Sequence, residues 1–470
     1  MKKILSLGVL ILAGLWVVGI VFFGRAANIK VDDQIAELNN VLLEHTLPVS
    51  ITKHSYESGF LSSHSRIQLI IDRENSDGLT VDVDLDIYHG PLMLTPNGLK
   101  LGAYYIAFTP DMAALLDDKK DAKKFLDGFA ERKPLSGDFL LGLLGGQSFG
   151  LALAPFSFTE DGQSVSLDSG IVGAFSSNDD FSRLKSTVKI GELSIEDEEE
   201  ALTIDIAAST LTMNITEFYA GSMLTGELEY TLDSVVTKAK GLEHRVDGIA
   251  LHSTSDKNNA GLYGNANFVM RSISSDDDNF NAMFSEPLNF RLDINYEGLN
   301  EQAIRDFADI NQMLNRQMYA DLLSDKEVSD LTTLSEENIE TYMLAIAALV
   351  EQGFKFDYGF TLGKGDANSG FKLALDWVDA GGLMDKKTLR EVLAAFQADV
   401  KANLDKSFFG GTDFEEMAQM PVMMGYAVAT EQGIESHALF NRGELLLNGK
   451  PVPYLDKIGP ALDVELPWAK

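Results

Sequence analysis

Hydrophobic positions change their spacing several times along this chain, and each spacing predicts a different element. Residues 4–24, ILSLGVLILAGLWVVGIVFFG, carry no charge and no strongly polar group except Ser6. At about 1.5 Å per helical residue such a run crosses the ~30 Å hydrocarbon layer of a bilayer. Lys2 and Lys3 precede it and only Arg25 follows closely. The basic side therefore stays in the cytoplasm, with residues 1–3 as its tip, and the body is expected on the far side. A cleaved signal peptide has a shorter apolar region, roughly 7–15 residues, and small residues at its cleavage site. Gly24-Arg25-Ala26 places an arginine in that window, so an uncleaved anchor is expected. Trp16 lies mid-span, whereas Phe22 and Phe23 lie near the outer boundary.

Beyond the anchor, Val31, Ile35, Leu38 and Leu42 recur at helical spacing until Pro48. Residues 25–47 read as an amphipathic helix, either a stalk that pairs with a second copy or a helix lying on the body. The apolar seam is too short to decide between them. From about residue 65 the period becomes two. Val81, Val83, Leu85 and Ile87 share one face of a strand, and Asp82, Asp84 and Asp86 share the other. The same alternation recurs at Leu202–Ile206, at Leu224–Leu232, and at Leu288, Phe290, Leu292, Ile294 and Tyr296. Antiparallel strands with one buried and one wet face read this way.

Helical spacing interrupts the strands. Helices are expected from Pro110 to Phe129, over 301–323, from the Thr333/Glu336 capping box to Gly353, from Thr388 to Leu404, and around Glu415–Ala429. Phe354, Phe356, Tyr358, Phe360 and Leu362 form one apolar strand face, and Phe371, Leu373, Leu375 and Trp377 form another. The end returns to strand at Ile434–Phe440 and Gly443–Asn448. The fold class is therefore α+β: a long, mostly antiparallel, meander-like curved sheet with helices packed on it, preceded by one transmembrane helix. Residues 48–300 form the β-rich part, and residues 301–470 are a mixed region continuing the same sheet.

Charge and composition narrow the functions. Acidic residues outnumber basic ones 71 to 38, giving a net charge of −33. That sign repels phosphate backbones and disfavours nucleic acid as a partner. The chain has no cysteine, which removes disulfides, thiolate metal sites and cysteine nucleophiles. Asp82, Asp84 and Asp86 alternate with apolar residues, so they line a solvated strand rather than a calcium loop. Of the seven histidines, His54, His64 and His89 flank neighbouring strands and serve there as strand-end hydrogen-bond partners rather than metal ligands. Gly142–Gly150 lacks the lysine of a phosphate-binding loop and reads as a connection into a strand near Leu151–Phe158. Met417, Met420, Met423 and Met424 surround Pro421 on a short helix and are read as core filling rather than as an adaptable binding surface. No catalytic residue set, metal site or cofactor is expected.

Three patterns carry a resemblance. The first is Tyr56-x-x-Gly59-Phe60-Leu61-Ser62-Ser63, leading into a strand. The second is His89-Gly90-Pro91, closing the alternating strand. The third is Gly443-x-Leu445-x-Leu447-Asn448-Gly449-Lys450. Together with the anchor they resemble the YdgA-like family of bacterial inner-membrane-anchored proteins of unknown function. The resemblance implies a periplasmic body, the inner membrane as a partner and self-association as a homo-oligomer; it implies no catalytic residue. The glycines themselves have structural readings: Gly59 a bend, Gly90-Pro91 a strand exit, and Asn448-Gly449 a turn with φ above zero. The expected role is a non-catalytic envelope scaffold or interaction module. The alternative is a lipid- or hydrophobe-binding protein using the apolar sheet face at Phe354, Phe356, Tyr358, Phe360, Phe371 and Trp377. An enzyme is the third reading.

Overall fold

The computed structural model describes residues 39, 49–57, 62–73, 76–111, 126–129, 133–160, 162–178, 182–219, 222–284, 286–310, 336–411, 415–452, 459–466 and 468. The expected anchor at 4–24 lies outside these residues, as do most of the 25–47 helix, Gly59, Phe60, and the segments 112–125 and 311–335. Among the described residues no helix is long and apolar enough to cross a membrane. The chain forms two compact units. The first takes its described residues from Met1–Asp197 and Ala208–Phe218, the second from Glu198–Ala207, Tyr219–Ile310 and Leu334–Lys470.

In the first unit, β1 (Val49–Glu57), β2 (Ser62–Arg73) and β3 (Ser76–His89) pair antiparallel. Next come β4 (Leu92–Thr95) and β5 (Gly98–Leu101), a separate hairpin. The main ladder resumes at β6 (Tyr104–Pro110), which pairs with β3, and continues through β7 (Leu135–Leu141) and β8 (Gln147–Leu153). A side ladder joins β9 (Phe156–Glu160), β10 (Gln163–Leu167) and β13 (Leu193–Asp197). From β8 the main ladder runs on through β11 (Ile171–Ser177), β12 (Leu184–Ile190) and β15 (Ser209–Tyr219).

Register explains the core of this unit. Ile87, Ile106, Phe139 and Phe149 stand opposite one another on successive strands, and all are buried. Each such side chain contributes about 1.5–3 kcal/mol by leaving water. In the adjacent row Phe108 lies over Gly137, where a Cβ would collide with its ring. The opposite face of β2 and β3 is a charge ladder. Arg66 donates to Asp84 at 2.7 Å, Gln68 to Asp82 at 3.0 Å, and His64 bonds Asp86 at 3.0 Å. The Arg66 guanidinium holds the Asp84 carboxyl below its ordinary range. Asn39, inside the expected stalk, donates to the Ile51 carbonyl at 2.8 Å and accepts from the Ile51 amide at 2.7 Å. Asn39 therefore lies against β1 and satisfies backbone groups of that strand.

In the second unit β14 (Leu202–Ile206) pairs with β16 (Ser222–Ala239). The chain then meanders antiparallel through β17 (Leu242–Asn258), β18 (Gly261–Ser275), β19 (Leu288–Leu299), β20 (Val350–Lys364), β21 (Ala367–Trp377) and β22 (Phe396–Asp405). β24 (Gly433–Asn441) pairs with β22, with β23 (Val428–Ala429) and with β25 (Glu444–Leu447), and β26 (Lys450–Pro451) follows. Residues 301–310 are helical, within the helix expected over 301–323, and the other helices described in this unit are short: α1 (Asp278–Met283), α2 (Glu336–Ala348), α3 (Leu389–Ala395) and α4 (Glu415–Met423).

Several expected boundaries change. The helix expected from Thr388 to Leu404 ends at Ala395, and 396–405 is strand. Thr388 does cap it, accepting from the Glu391 amide. Phe396, Ala398, Val400, Ala402 and Leu404 alternate, and sheet pairing on both sides outweighs the helix preference of the two alanines. Thr109-Pro110 ends β6 instead of opening a helix, with Pro110 opposite Val83. α2 stops at Ala348, and Gly353 lies inside β20 at φ +90°. Gly142–Gly146 forms a closed turn, Gly142 amide to Gly146 carbonyl at 2.7 Å, and the following strand starts at Gln147. α4 ends at Met423, and its methionines are exposed rather than core filling: Met417 57%, Met420 50%, Met423 75% and Met424 59%.

Two outcomes test this packing. Gly137→Ala is expected to destabilise the protein by about 1–3 kcal/mol in urea unfolding, because Phe108 must leave its place. Tyr105 is fully buried (0% exposed), and burial together with Asp138 pushes its phenol up to about 12. Its unfolded value is about 10. A raised folded value means the contribution is complete below about pH 10 and is lost as pH rises toward 12. Stability should therefore fall across that window in the parent protein, and Tyr105→Phe should flatten the fall.

Candidate functional site

Two places gather the residues singled out above, one in each unit. In the first, the N-terminal motif residues meet. The Tyr56 hydroxyl donates to Ser63 Oγ at 3.2 Å, and Ser63 Oγ lies 2.9 Å from His89 Nε2. β2 and β3 bring Ser63 and His89 to the same face, with Ser63 opposite Ile87. The His89 ring stands edge-on to Tyr104, centroids 5.8 Å apart. Ser63 is buried at 5% exposure, while Tyr56 is 38% exposed. A serine hydroxyl on an imidazole is the start of a nucleophile–base pair, but that chemistry also needs a group orienting the imidazole. Among the described residues no carboxylate bonds His89, and the partly buried chain of bonds acts as a clip between strand ends. His64 lies on the opposite face of β2, with Asp86. His64 and His89 therefore do not converge on one ion, and no group of three ligands capable of holding a metal occurs among the described residues.

The clip sits at the root of the β4–β5 hairpin. Gly90, at φ +110°, lets β3 turn out of the sheet. Its amide donates to the Ala103 carbonyl at 3.2 Å, and the Gly102 amide donates to the Pro91 carbonyl at 3.3 Å. At the tip, Asn97 donates to the Tyr105 hydroxyl at 2.7 Å and to Asp138 at 3.1 Å.

The second place is the broad face of the second unit's sheet. Register aligns Tyr230, Leu251, Phe268, Leu292, Phe360, Phe371 and Ala402 across successive strands from β16 to β22. A parallel row runs Leu228, Ser253, Ala266, Ile294, Tyr358, Leu373, Val400 and Ala438. Neither row contains a charge. Aromatic rings meet on this face: Phe290, from the adjacent row, lies on Phe360 with centroids 6.5 Å apart, Phe360 on Phe371 at 6.0 Å, and Tyr358 stands edge-on to Phe371 at 6.3 Å. The reverse face carries the charge. Asn267 donates to Asp293 at 2.6 Å, Arg291 to Asp293 at 2.7 Å, and Lys401 to Asp399 at 2.7 Å. Lys401 and then His437 hold the Asp399 carboxyl below its ordinary range.

The apolar face is only partly covered. Phe360 is 36% exposed, and Phe268, Phe290, Phe354, Phe356, Tyr358 and Phe371 are half-buried. Trp377 is different: it is 7% exposed and donates to the Gly381 carbonyl at 2.6 Å, so it belongs to a closed corner. A second covered corner lies beside α4, where Phe409, Ala427 and Ile434 pack with Leu404, Ala418 and Val422. The C-terminal motif builds the hairpins beyond β24. Gly443 (φ +89°), Asn448 (φ +50°) and Gly449 (φ +75°) supply its turns. Leu445 stands opposite Phe440. Asn448 accepts from the His437 amide at 2.9 Å and donates to the Tyr426 carbonyl at 3.1 Å.

Sequence reading missed two features. The leucines of β4 and β5 alternate around Pro96-Asn97-Gly98, a readable hairpin signal. The exposure of the α4 methionines had no sequence signal. For the clip, Ser63→Ala should cost about 1 kcal/mol in urea unfolding, because Tyr56 loses an acceptor and His89 a hydrogen-bond partner. No change on substitution would mean that the clip holds nothing together.

No curated protein matches this chain, and no solved structure matches it. Residues 1–454 match DUF945, described as a bacterial protein of unknown function. With the match covering nearly the whole chain, motifs at both ends included, the protein belongs to the DUF945 family of bacterial proteins.

Proposed function

We propose that this is a membrane-anchored, non-catalytic lipid-binding protein whose second unit holds acyl chains on the apolar face of its sheet. The observation that carries the reading is that face itself: two uncharged rows, lined by stacked phenylalanines, that keep partial exposure to solvent. Large apolar side chains left partly exposed together on one face mark an interaction site. Strands lie about 4.8 Å apart, so the row from Tyr230 to Ala402 spans about 29 Å. That is about twice the ~15 Å depth of one bilayer leaflet, and an acyl chain fits along it. Residues 4–24 as an anchor, and the resemblance to inner-membrane proteins with periplasmic bodies, support a supply of lipid at hand. Burial of Ser63, and the lack among the described residues of a carboxylate orienting His89, argue against hydrolysis at the clip.

The occupant of the face is preferred as lipid because the rows carry no charge and, apart from Tyr230 and Tyr358, none of the residue types in which protein interfaces concentrate their binding energy. Self-association through the same face, the scaffold reading, is the competing outcome. The test is mass spectrometry of lipid co-purifying with the full chain in gentle detergent. Stoichiometric phospholipid or fatty acid is expected. Phe360→Asp with Phe371→Asp should abolish it while leaving the circular dichroism spectrum unchanged, since both side chains are partly exposed. A lipid-free parent protein that cross-links as a dimer would replace carriage with the scaffold.

A further inference from the structure

We propose that the β4–β5 hairpin of the first unit is a bilayer-docking element, inserting its leucines among lipid acyl chains. The hairpin inverts the usual placement of apolar residues. Met93 and Thr95 are buried at 3% and 7%, while Leu92, Leu94, Leu99 and Leu101 are 57%, 80%, 64% and 67% exposed. Leu92 stands opposite Leu101, and Leu94 opposite Leu99, so the four form one continuous outer patch. The polar groups of the hairpin turn inward. Asn97 is bonded to Tyr105 and Asp138, Thr95 Oγ1 donates to the Gly98 carbonyl at 2.8 Å, and the Lys100 ammonium lies over the Tyr105 ring, 5.7 Å from its centroid. The Gly142–Gly146 turn adds Leu143 and Leu144, 60% and 101% exposed. It is held beside the hairpin root by the Ala103 amide on the Leu141 carbonyl at 2.7 Å.

Size and chemistry select the occupant. A stable protein interface takes about 20–30 residues a side, with aromatic and arginine anchors. This patch is a handful of leucines on a short hairpin, too small for that role. It has no outward charge on a chain of net charge −33, so a bilayer of neutral headgroups receives it without like-charge repulsion. Leucines on a hairpin tip need only the outer acyl layer, a depth at which water still reaches the outward backbone groups of a two-stranded hairpin. The chain from residue 25 to Asn39 extends at most about 50 Å. Asn39 lies beside Ile51 on β1, and β1 runs only about 20 Å from there to Glu57 at the hairpin end. On the reading of residues 4–24 as an anchor, the hairpin can therefore reach the bilayer.

The absence of cysteine makes the test direct. Leu94→Cys and, as a control, Glu192→Cys are labelled with an environment-sensitive fluorophore on the full chain. The labelled protein is then reconstituted into phosphatidylcholine vesicles with and without brominated acyl chains. The label at 94 should shift to the blue and lose intensity in brominated lipid, and the label at 192 should do neither. Water-like emission at 94, equal to the control, overturns the proposal. So does a blue shift that ignores bromine and grows with protein density, which would place a second copy on the patch. The Phe360→Asp chain should behave identically at 94, so a failure of lipid carriage and a failure of docking can be told apart.

Discussion

Everything in this molecule hangs on antiparallel pairing between strands that are apolar on one side and charged on the other. With a side-chain period of two, slipping any strand by one residue would carry its phenylalanines to the charged face and its aspartates to the apolar one. Each ladder therefore has one strongly preferred register. In β2 and β3 that register brings Arg66 to Asp84 and, on the reverse side, Ser63 to Ile87. In β19 to β21 it brings Leu292, Phe360 and Phe371 into line. The individual surface ion pairs are worth little, of the order of 1 kcal/mol or less. Their effect is to make the wrong face costly.

The same constraint has different consequences in the two units. In the first, the apolar row from Ile87 to Phe149 is buried, and hydrogen-bonded networks form near it around Ser63 and Tyr105. In the second, the apolar rows stay half-open, with covered corners at Trp377 and beside α4. A sheet that holds its charges on one face and leaves the other partly wet carries a standing cost in exposed hydrocarbon, and binding an apolar ligand removes it. That link between register and unburied surface is why the binding reading is preferred over a purely structural one.

Alternation was legible in the sequence wherever it was carried by large side chains: Val81 to Ile87, Leu288 to Tyr296, Phe354 to Leu362. It was hidden where alanine supplied the small positions. Ala398 and Ala402 suit a helix as well as a strand, and only pairing with β21 and β24 resolves them. The motif residues Tyr56, Ser63 and His89 were visible one by one. Their convergence was not, because it depends on β1–β2–β3 register across 26 residues of separation between Ser63 and His89. Exposure was the least legible property. The leucines of the hairpin and the methionines of α4 look like core residues, and hydrophobic character alone does not say whether a neighbour covers them. Trp377 shows the converse: it shares the apolar face, yet a local backbone carbonyl and neighbouring chain close over it.

The central claim is that acyl chains lie on the open face of the second sheet. Photo-crosslinking the full chain with a fatty acid bearing a diazirine on its chain, followed by peptide mapping, tests it most directly. The account expects adducts on Phe290, Phe360, Phe371 and their row neighbours, and none on Asp293, Lys372 or Lys401 of the reverse face. Adducts spread evenly over both faces, or absent from the phenylalanine rows, would contradict it.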